Sequence, residues 1–246
     1  DMSSADVFGC TDPSYLEYTP SVNHDNGTCS VEVVYGCTGA DHCNYNPEAN
    51  TDDGSCIYPE QFYDCDGNSL QVLEIGALMN GGIVFYIDET GQHGLVAATE
   101  DLTEGSNMGP WGTPEGFEWG CYGSTVSGAD GQSIGTGYQN TLDIVAQNCQ
   151  TENGGITAAQ ATLNYESEGY SDWYLPSKNE LIEMYNTIGN GGPEGNIGGF
   201  EMSDYPYYWS SSENINNYAW YVYFSNGLTS NYYKNYSLRV RAVRAF

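Results

Sequence analysis

Eight cysteines, at positions 10, 29, 37, 43, 56, 65, 121 and 149, constrain this chain more than any other feature, because six of them fall within its first 65 residues. A segment that short encloses little apolar volume, and an even, dense set of cysteines reads as a disulfide framework formed in an oxidising compartment. Laying Gly9 to Cys29 over Gly36 to Cys56 aligns every position without a gap, at a period of 27 residues. Cys10 then matches Cys37, Tyr18 matches Tyr45, Pro20 matches Pro47, Asn23 matches Asn50, Asp25 matches Asp52, Gly27 matches Gly54 and Cys29 matches Cys56. A fixed internal period marks a duplicated structural unit. Both copies keep an outer pair, so Cys10 to Cys29 and Cys37 to Cys56 are the economical bridges. Cys43, where the first copy has Leu16, and the downstream Cys65 are additional and are expected to pair, which leaves Cys121 for Cys149. Each loop would contribute roughly 3 kcal/mol by restricting the unfolded chain. Spacing alone admits other connectivities.

Each copy ends in a turn-forming cluster, HDNGTC or TDDGSC, where Asx side chains cap their own backbone and glycine supplies positive φ. The oxygens of Asn50, Asp52 and Asp53, or of Asn23 and Asp25, also form a candidate calcium set, and calcium is the one candidate cofactor. Their spacing departs from the EF-hand loop, which favours purely structural turns. His42, beside Cys43 and near Cys37, lacks the second paired spacing that structural zinc uses. The duplicated segment, with the following YDCDGN (Tyr63 to Asn68), resembles the short cysteine-rich GCTDxxAxNYNPxAxxDDGSC repeats of secreted bacterial surface proteins, over about residues 7–68. That resemblance implies a stalk or spacer. The expected organisation is a first repeat over 1–35, a second over 36–69 and a larger domain over 70–246.

Charge narrows the function classes. The formal net charge is -28, and Lys178, Lys234, Arg239, Arg241 and Arg244 are the whole basic complement. Such a chain repels phosphate backbones and anionic lipid surfaces, so nucleic acid is not an expected partner. No apolar run approaches the roughly 20 residues that a membrane helix needs, so no membrane insertion is expected. Cations are the natural small partners, unless the acidity serves only solubility in salty water. No charged-then-apolar segment follows Asp1, as in a mature chain whose leader is gone or lies outside this sequence. With the cysteines, this reads as a secreted, extracellular or cell-surface protein.

From about Leu70 ordinary core patterning begins. GGIVFYID (Gly81 to Asp88) and HGLVAAT (His93 to Thr99) read as a β-hairpin, and helices are expected over about Gln139 to Asn148 and after Ile156 through TAAQATL. In SKNELIEMYNTIG, Ser177 and Glu180 form a capping box, Leu181, Met184, Tyr185 and Ile188 share one helical face, and Gly189 closes the helix. GNGGPEGNIGGF lacks the G-K-[ST] ending of a phosphate loop, so nucleotide binding is rejected. YWSSSEN, YAWYVYF and SLRVRAVRAF read as strands. Alternation puts Trp220, Val222 and Phe224 on a core face opposite Ala219, Tyr221 and Tyr223, and sets Arg239 and Arg241 opposite Leu238, Val240 and Ala242.

Between Tyr205 and Ser237 most positions are Tyr, Asn or Ser, a composition that gives rigid amphipathic contact and adaptable hydrogen bonding. The candidate ligand-binding residues are Asn214, Asn216, Asn217, Tyr218, Asn226, Asn231, Tyr232, Tyr233, Asn235 and Tyr236. Stacking on a sugar face is open to Trp209, Tyr221, Tyr223, Tyr232 or Tyr233, although Trp209 and Trp220 read as core. Asn26-Gly-Thr and Asn235-Tyr-Ser are glycosylation sequons.

The order GGIVFYID, GYSDWYLPSKNEL (Gly169 to Leu181), YWSSSE (Tyr208 to Glu213), AWYVYF and VRAVR resembles the C-terminal domain of Legionella collagen-like adhesins, over about Ile75 to Phe246. That domain is related to the formylglycine-generating-enzyme variant of the C-type lectin fold. The resemblance implies an α+β, C-type lectin-like domain with a small twisted antiparallel sheet, flanking helices and long loops, in a family of surface adhesins and glycan or protein binders. A narrower resemblance is to retroelement-diversified variable proteins, whose C-terminal asparagine codons are mutated on a lectin-like frame. The calcium-lectin motifs E-P-N, Q-P-D and W-N-D are absent. Cys121 and Cys149 precede the place where formylglycine-generating relatives carry their catalytic cysteines, and no histidine sits in a nucleophile or metal motif. No enzyme is expected. The leading reading is an adhesin or ligand-binding head for glycan or protein on another cell or surface, bacterial or phage-associated. The runner-up is a self-assembling subunit of an extracellular filament, whose exposed aromatic strands meet neighbouring subunits.

Overall fold

The computed structural model describes residues 6–58, 64–66, 73–106 and 116–246. The expected boundary at 69/70, and Tyr63, Gly67 and Asn68 of YDCDGN, lie outside the described residues. The chain divides into two compact units, Asp1–Val72 and Leu73–Phe246.

In the first unit the duplication recurs as geometry. Strand β1 (Phe8–Gly9) pairs in parallel with β2 (His24–Asp25), and β3 (Tyr35–Gly36) pairs in parallel with β4 (Thr51–Asp52). Single bridges join Cys10 to Tyr18 and Cys37 to Tyr45 at the same offset. Disulfides link Cys10–Cys29, Cys37–Cys56 and Cys43–Cys65. Cys10 and Cys37 are the fully buried hydrophobic residues among the described part of this unit, so cross-links take the place of a core.

The Asx side chains hold the turns. Asn23 and Asn50 Oδ1 accept the N–H of Val7 and Val34 at 2.8 and 2.9 Å, while Asp25 and Asp52 Oδ1 accept from Gly27 and Gly54 at 3.0 and 3.1 Å. Both glycines have positive φ, 76° and 74°. Asp53 Oδ1 accepts from Ser55 N at 2.9 Å. Glu17 accepts from the Ser30 hydroxyl and from the N–H groups of Ser30 and Val31, which ties the connector between the copies to the first copy. Asn44 does the same work in the second copy, accepting from Ile57 N at 2.8 Å.

The second unit is α+β. Its elements are β5 (Leu78–Met79), β6 (Gly82–Ile87), β7 (Gly94–Ala97), β8 (Phe117–Glu118), α1 (Gly137–Ala146), α2 (Ala158–Asn164), α3 (Lys178–Thr187), β9 (Tyr207–Ile215), β10 (Tyr218–Tyr223), β11 (Leu228–Tyr233), β12 (Ser237–Leu238) and β13 (Val243–Ala245). They form a four-stranded sheet in the order β13-β7-β6-β5, a three-stranded sheet β11-β10-β9 and a pair β12-β8, all antiparallel. The β6–β7 hairpin turns where Asp88 Oδ1 accepts from the N–H and hydroxyl of Thr90. The capping box opens α3 as the sequence predicts: Ser177 Oγ accepts from Glu180 N, and Glu180 Oε2 accepts from Ser177 N at 2.7 Å. Helix α1 runs two residues earlier than expected and stops at Ala146, with Asn148 left-handed at φ 57° just beyond it.

One apolar cluster gathers Trp119, Trp173 and Trp209 with Ile144 and the alanines of α2. A second gathers Phe85, Tyr208 and Phe224 with Leu181 and Met184 of α3. Two sequence expectations change here. Trp220 is half-buried, and Ala219 takes the buried place, because β10 shifts register against β9 on both sides of Ala219. Such a bulge breaks the period-2 alternation. The terminal run is also no single strand. Between β12 and β13 its backbone bonds in turn to Tyr207 and Trp209, then Leu102, then Ala98, so it crosses from one sheet to another with neighbours on both sides. Arg241 is buried there, as are Val240 and Ala242 on either side of it.

Two outcomes follow for the first unit. Reductant should open it, seen as proteolytic cleavage below residue 72, at temperatures where the second unit stays intact; one cooperative transition, with or without reductant, would sink this separation. Hydrogen bonds from the Ser30 hydroxyl, and then from backbone, hold the Glu17 carboxyl down at about 2 from an ordinary 4.5. Its contribution is therefore complete above 4.5 and is lost as pH falls toward 2. The amide resonances of Ser30 and Val31 should titrate with a midpoint near 2, whereas a midpoint near 4.5 would mean the bonds are absent in solution.

Candidate functional site

Of the 33 acidic residues, only Glu213 lies beyond Asp204, and it is buried, so the C-terminal sheet exposes no carboxylate in a chain that is otherwise strongly anionic. On it eight tyrosines touch in sequence. Tyr223 stacks on Tyr207 at 4.8 Å between ring centres, Tyr207 meets Tyr221 edge-on at 5.4 Å, and Tyr221 meets Tyr232 at 6.1 Å. Tyr232 meets Tyr236 at 4.7 Å, Tyr236 stacks on Tyr233 at 5.7 Å, and Tyr233 lies against Tyr218 at 4.6 Å and Tyr122 at 6.1 Å. These separations fall where aromatic pairs gain about 0.5–1.5 kcal/mol beyond burial. Tyr221 and Tyr223 are two apart on β10 and share a face, with Tyr207 opposite Tyr223. Tyr218 and Tyr233 pair across β10 and β11 on the alternate face, and Tyr236, past the end of β11, joins the two sets. Tyr122, Tyr232 and Tyr233 are 37%, 39% and 37% exposed. Burial raises the Tyr221 and Tyr232 phenols, and the hydrogen bond with Tyr233 raises Tyr218, so these three stay neutral through physiological pH.

Beneath this surface lies an ion pair, Lys234 with Glu213, both buried. Lys234 Nζ also donates to Ser124 O at 2.9 Å and sits 4.5 Å over the Trp119 ring. Burial lowers the Lys234 ammonium from its ordinary value, against the opposing effect of Glu213. Glu213 Oε1 accepts from Val126 N at 2.9 Å, so the pair holds the 121–126 loop that carries Tyr122. The Cys121–Cys149 disulfide secures the start of that loop. Buried Glu118 accepts from the N–H groups of Glu152 and Asn153, and Glu152 in turn accepts from Asn235 Nδ2 at 2.7 Å.

The other cations are equally engaged. Arg241 bonds Asp101, Ala98 O and Gly198 O; Arg239 reaches Asp101 and Asp204 O; Arg244 bonds both oxygens of Asp172. Lys178 donates to Gln132 at 2.6 Å and lies 4.4 Å over the Trp220 ring.

The ten candidate residues separate into two groups. Asn216 and Asn217 form the β9–β10 turn and Asn214 lies near the end of β9, at the same end of the sheet as Tyr218, Tyr232, Tyr233, Asn235 and Tyr236, with Asn231 further along β11. Asn226 sits in the β10–β11 turn at the opposite end, its Oδ1 accepting from Leu228 N at 3.0 Å, about 17 Å away along β10. Asn235 is half-buried and its donor is engaged with Glu152, which also removes it as an accessible sequon; Asn26 is exposed. Trp209 is fully buried. Tyr207 and Tyr122 join the surface without being among the residues that the sequence picks out. For Tyr122 the one sequence signal is its neighbour Cys121.

The calcium candidates Asn23, Asp25, Asn50, Asp52 and Asp53 each turn an oxygen back onto a backbone N–H, the work of a turn cap. His42 lies near Cys37 and Cys56, but both sulfurs are spent in their disulfide, so they offer zinc no thiolate. A cavity of about 560 Å³ lined by Glu100, Asp101, Glu104 and Tyr165 is anionic, and its Asp101 is taken by Arg239, Arg241 and Tyr208.

A family model described as the Lcl C-terminal domain matches residues 120–244. No curated protein matches the chain. Among solved structures, the crystal structure of a fimbrial protein from Bacteroides ovatus ATCC 8483 is similar at a TM-score of 0.40 and 16% identity, over 80% of this chain and 50% of that one. The present chain thus spans half the length of that protein, and a likeness of this degree carries no argument about fold or function.

Replacing Lys234 by Met would strand the buried Glu213 carboxylate, and the second unit should lose about 3–5 kcal/mol in urea denaturation. Adding Glu213→Gln should recover part of that loss. An unchanged unfolding midpoint in the single variant would show that the pair holds nothing.

Proposed function

The chain belongs to the Lcl C-terminal domain family, and from that premise we propose that it is an extracellular, non-catalytic adhesive head that binds an uncharged glycan through its tyrosine network. Asn214, Asn216, Asn217 and Asn231 supply hydrogen-bonding groups beside the rings, and the disulfide repeats act as a spacer. The head is a C-type lectin-like frame in this reading. In support, the last strand β13 returns to the opening β6–β7 hairpin, and long loops are fastened onto the sheet by disulfide and ion pair.

The observation that carries the proposal is the joined, partly exposed tyrosine surface, free of carboxylates, in a chain of net charge -28. Phenol rings stack on the apolar faces of sugars, while Asn amides donate and accept toward hydroxyls. A sulfated or sialylated glycan would approach a strongly anionic protein whose five basic side chains are all engaged. Uncharged sugars meet no such barrier. Four disulfides and the absence, among the described residues, of a helix long and apolar enough to cross a membrane are consistent with an extracellular setting. The non-catalytic reading is supported by the cysteines, all in bridges, and by histidines that lie apart: His24 pairs with Asp6, His42 packs on Tyr58, and His93 is exposed.

The test is an array of neutral, sialylated and sulfated glycans, probed with and without a calcium chelator. Neutral glycans should be retained in both conditions. The Tyr232→Ala, Tyr233→Ala double variant should bind about tenfold more weakly or worse, with a melting temperature close to the parent. Binding confined to sulfated glycans, or unchanged by the variant, would overturn the reading; equal loss of folding and binding would reassign these tyrosines to the core.

A further inference from the structure

Strand β11, Leu228–Tyr233, is the outer strand of the three-stranded sheet and is exposed along its length except at half-buried Asn231. The opposite edge of that sheet is closed: β9 bonds outward through Trp209 N to Arg239 O, Ser211 N to Pro176 O and Glu213 N to Ala129 O. In the four-stranded sheet, β13 is likewise closed by Tyr174, bonded to Val243 in both directions. Nothing comparable meets Thr229 to Tyr232 among the described residues. An antiparallel edge strand presents alternate N–H and C=O groups outward, and proteins ordinarily guard such an edge with lysine, proline, a bulge or a short strand. β11 has six residues in unbroken register with β10, and LTSNYY contains no proline and no charge.

We infer that β11 is a pairing edge, and that its occupant is β11 of a second copy of this chain, antiparallel about a two-fold axis. The lack of charge selects the occupant. From Asn214 to Tyr233 there is no charged residue at all, so nothing beside the edge would select a basic or an acidic peptide. A matching strand is uncharged and rich in Thr and Tyr, residues that favour strands and pair well across them, and β11 itself meets that description. Residues of like orientation must face each other in an antiparallel pair, so one residue lies opposite its own copy and the axis passes between the two. Centred on Ser230, it sets Thr229 opposite Asn231 and Leu228 opposite Tyr232 of the second copy. The paired sheet would run β9-β10-β11-β11-β10-β9, with two tyrosine networks flanking one seam. Such a dimer could engage a repeating ligand at two points. The net charge of -28 on each copy opposes association, so pairing strengthens as salt screens it.

Sedimentation velocity over a hundredfold concentration range, at low and at physiological salt, tests this. The parent should show a monomer–dimer equilibrium that tightens with salt. Ser230→Glu and Ser230→Lys should each weaken it about tenfold while circular dichroism stays unchanged, and an equimolar mixture of the two should associate again. Ser230→Cys should form a covalent dimer under non-reducing conditions. A parent that is monomeric throughout, or an assembly that none of these substitutions alters, overturns the inference. Glycan retention by the monomeric Ser230→Glu form reports on the ligand proposal separately, because it needs no second copy.

Discussion

Cations are so scarce in this chain that the second unit is organised around where they go. Four of the five basic residues lie in the last thirteen positions, and each is drawn into a carboxylate or carbonyl cage instead of solvent. Lys234 with Glu213 fastens the 121–126 loop to the end of β11. Arg241 with Asp101 fastens the 98–102 segment to the crossover between β12 and β13, and Arg244 with Asp172 fastens the turn before α3. A buried pair adds little net stability over an apolar pair, but losing one partner is costly, so the Lys234 and Arg241 contacts specify arrangement more than they add free energy, while the Arg244 pair reaches a solvent-exposed Asp172.

The same economy shapes the surface. With the sheet's one carboxylate, Glu213, and the cations turned inward, tyrosine and asparagine are left as its outer chemistry. Aromatic neighbours then pack on one another across strands and around the strand end, which gives a rigid surface at low conformational cost. The first unit solves a different problem. It has too little apolar volume for a core, so three disulfides and a repeated set of Asx turns do the holding.

Local signals were the legible ones. The 27-residue duplication, the β6–β7 hairpin and the Ser177–Glu180 capping box rest on neighbours in sequence, and each stands in the structure at those residues. The misreadings share one cause. Alternation puts Trp220 on the core face and makes the terminal run one strand, and it holds only while a strand keeps one partner in one register. β10 carries a bulge against β9, and the last ten residues change partners between sheets.

The sequence by itself determined that the chain has a duplicated cysteine-rich segment, a strongly anionic body and an uncharged, tyrosine-rich stretch from Asn214 to Tyr233, because composition and spacing are written along the chain. Only the tertiary structure decided which tyrosines form one surface. Tyr122 reaches it from more than eighty residues away, through a disulfide and a buried ion pair. Asn226, only a few residues from Asn231 in sequence, is carried to the far end of the sheet by the direction of β10. Distance along an antiparallel strand, and not distance in sequence, sets what can touch one ligand.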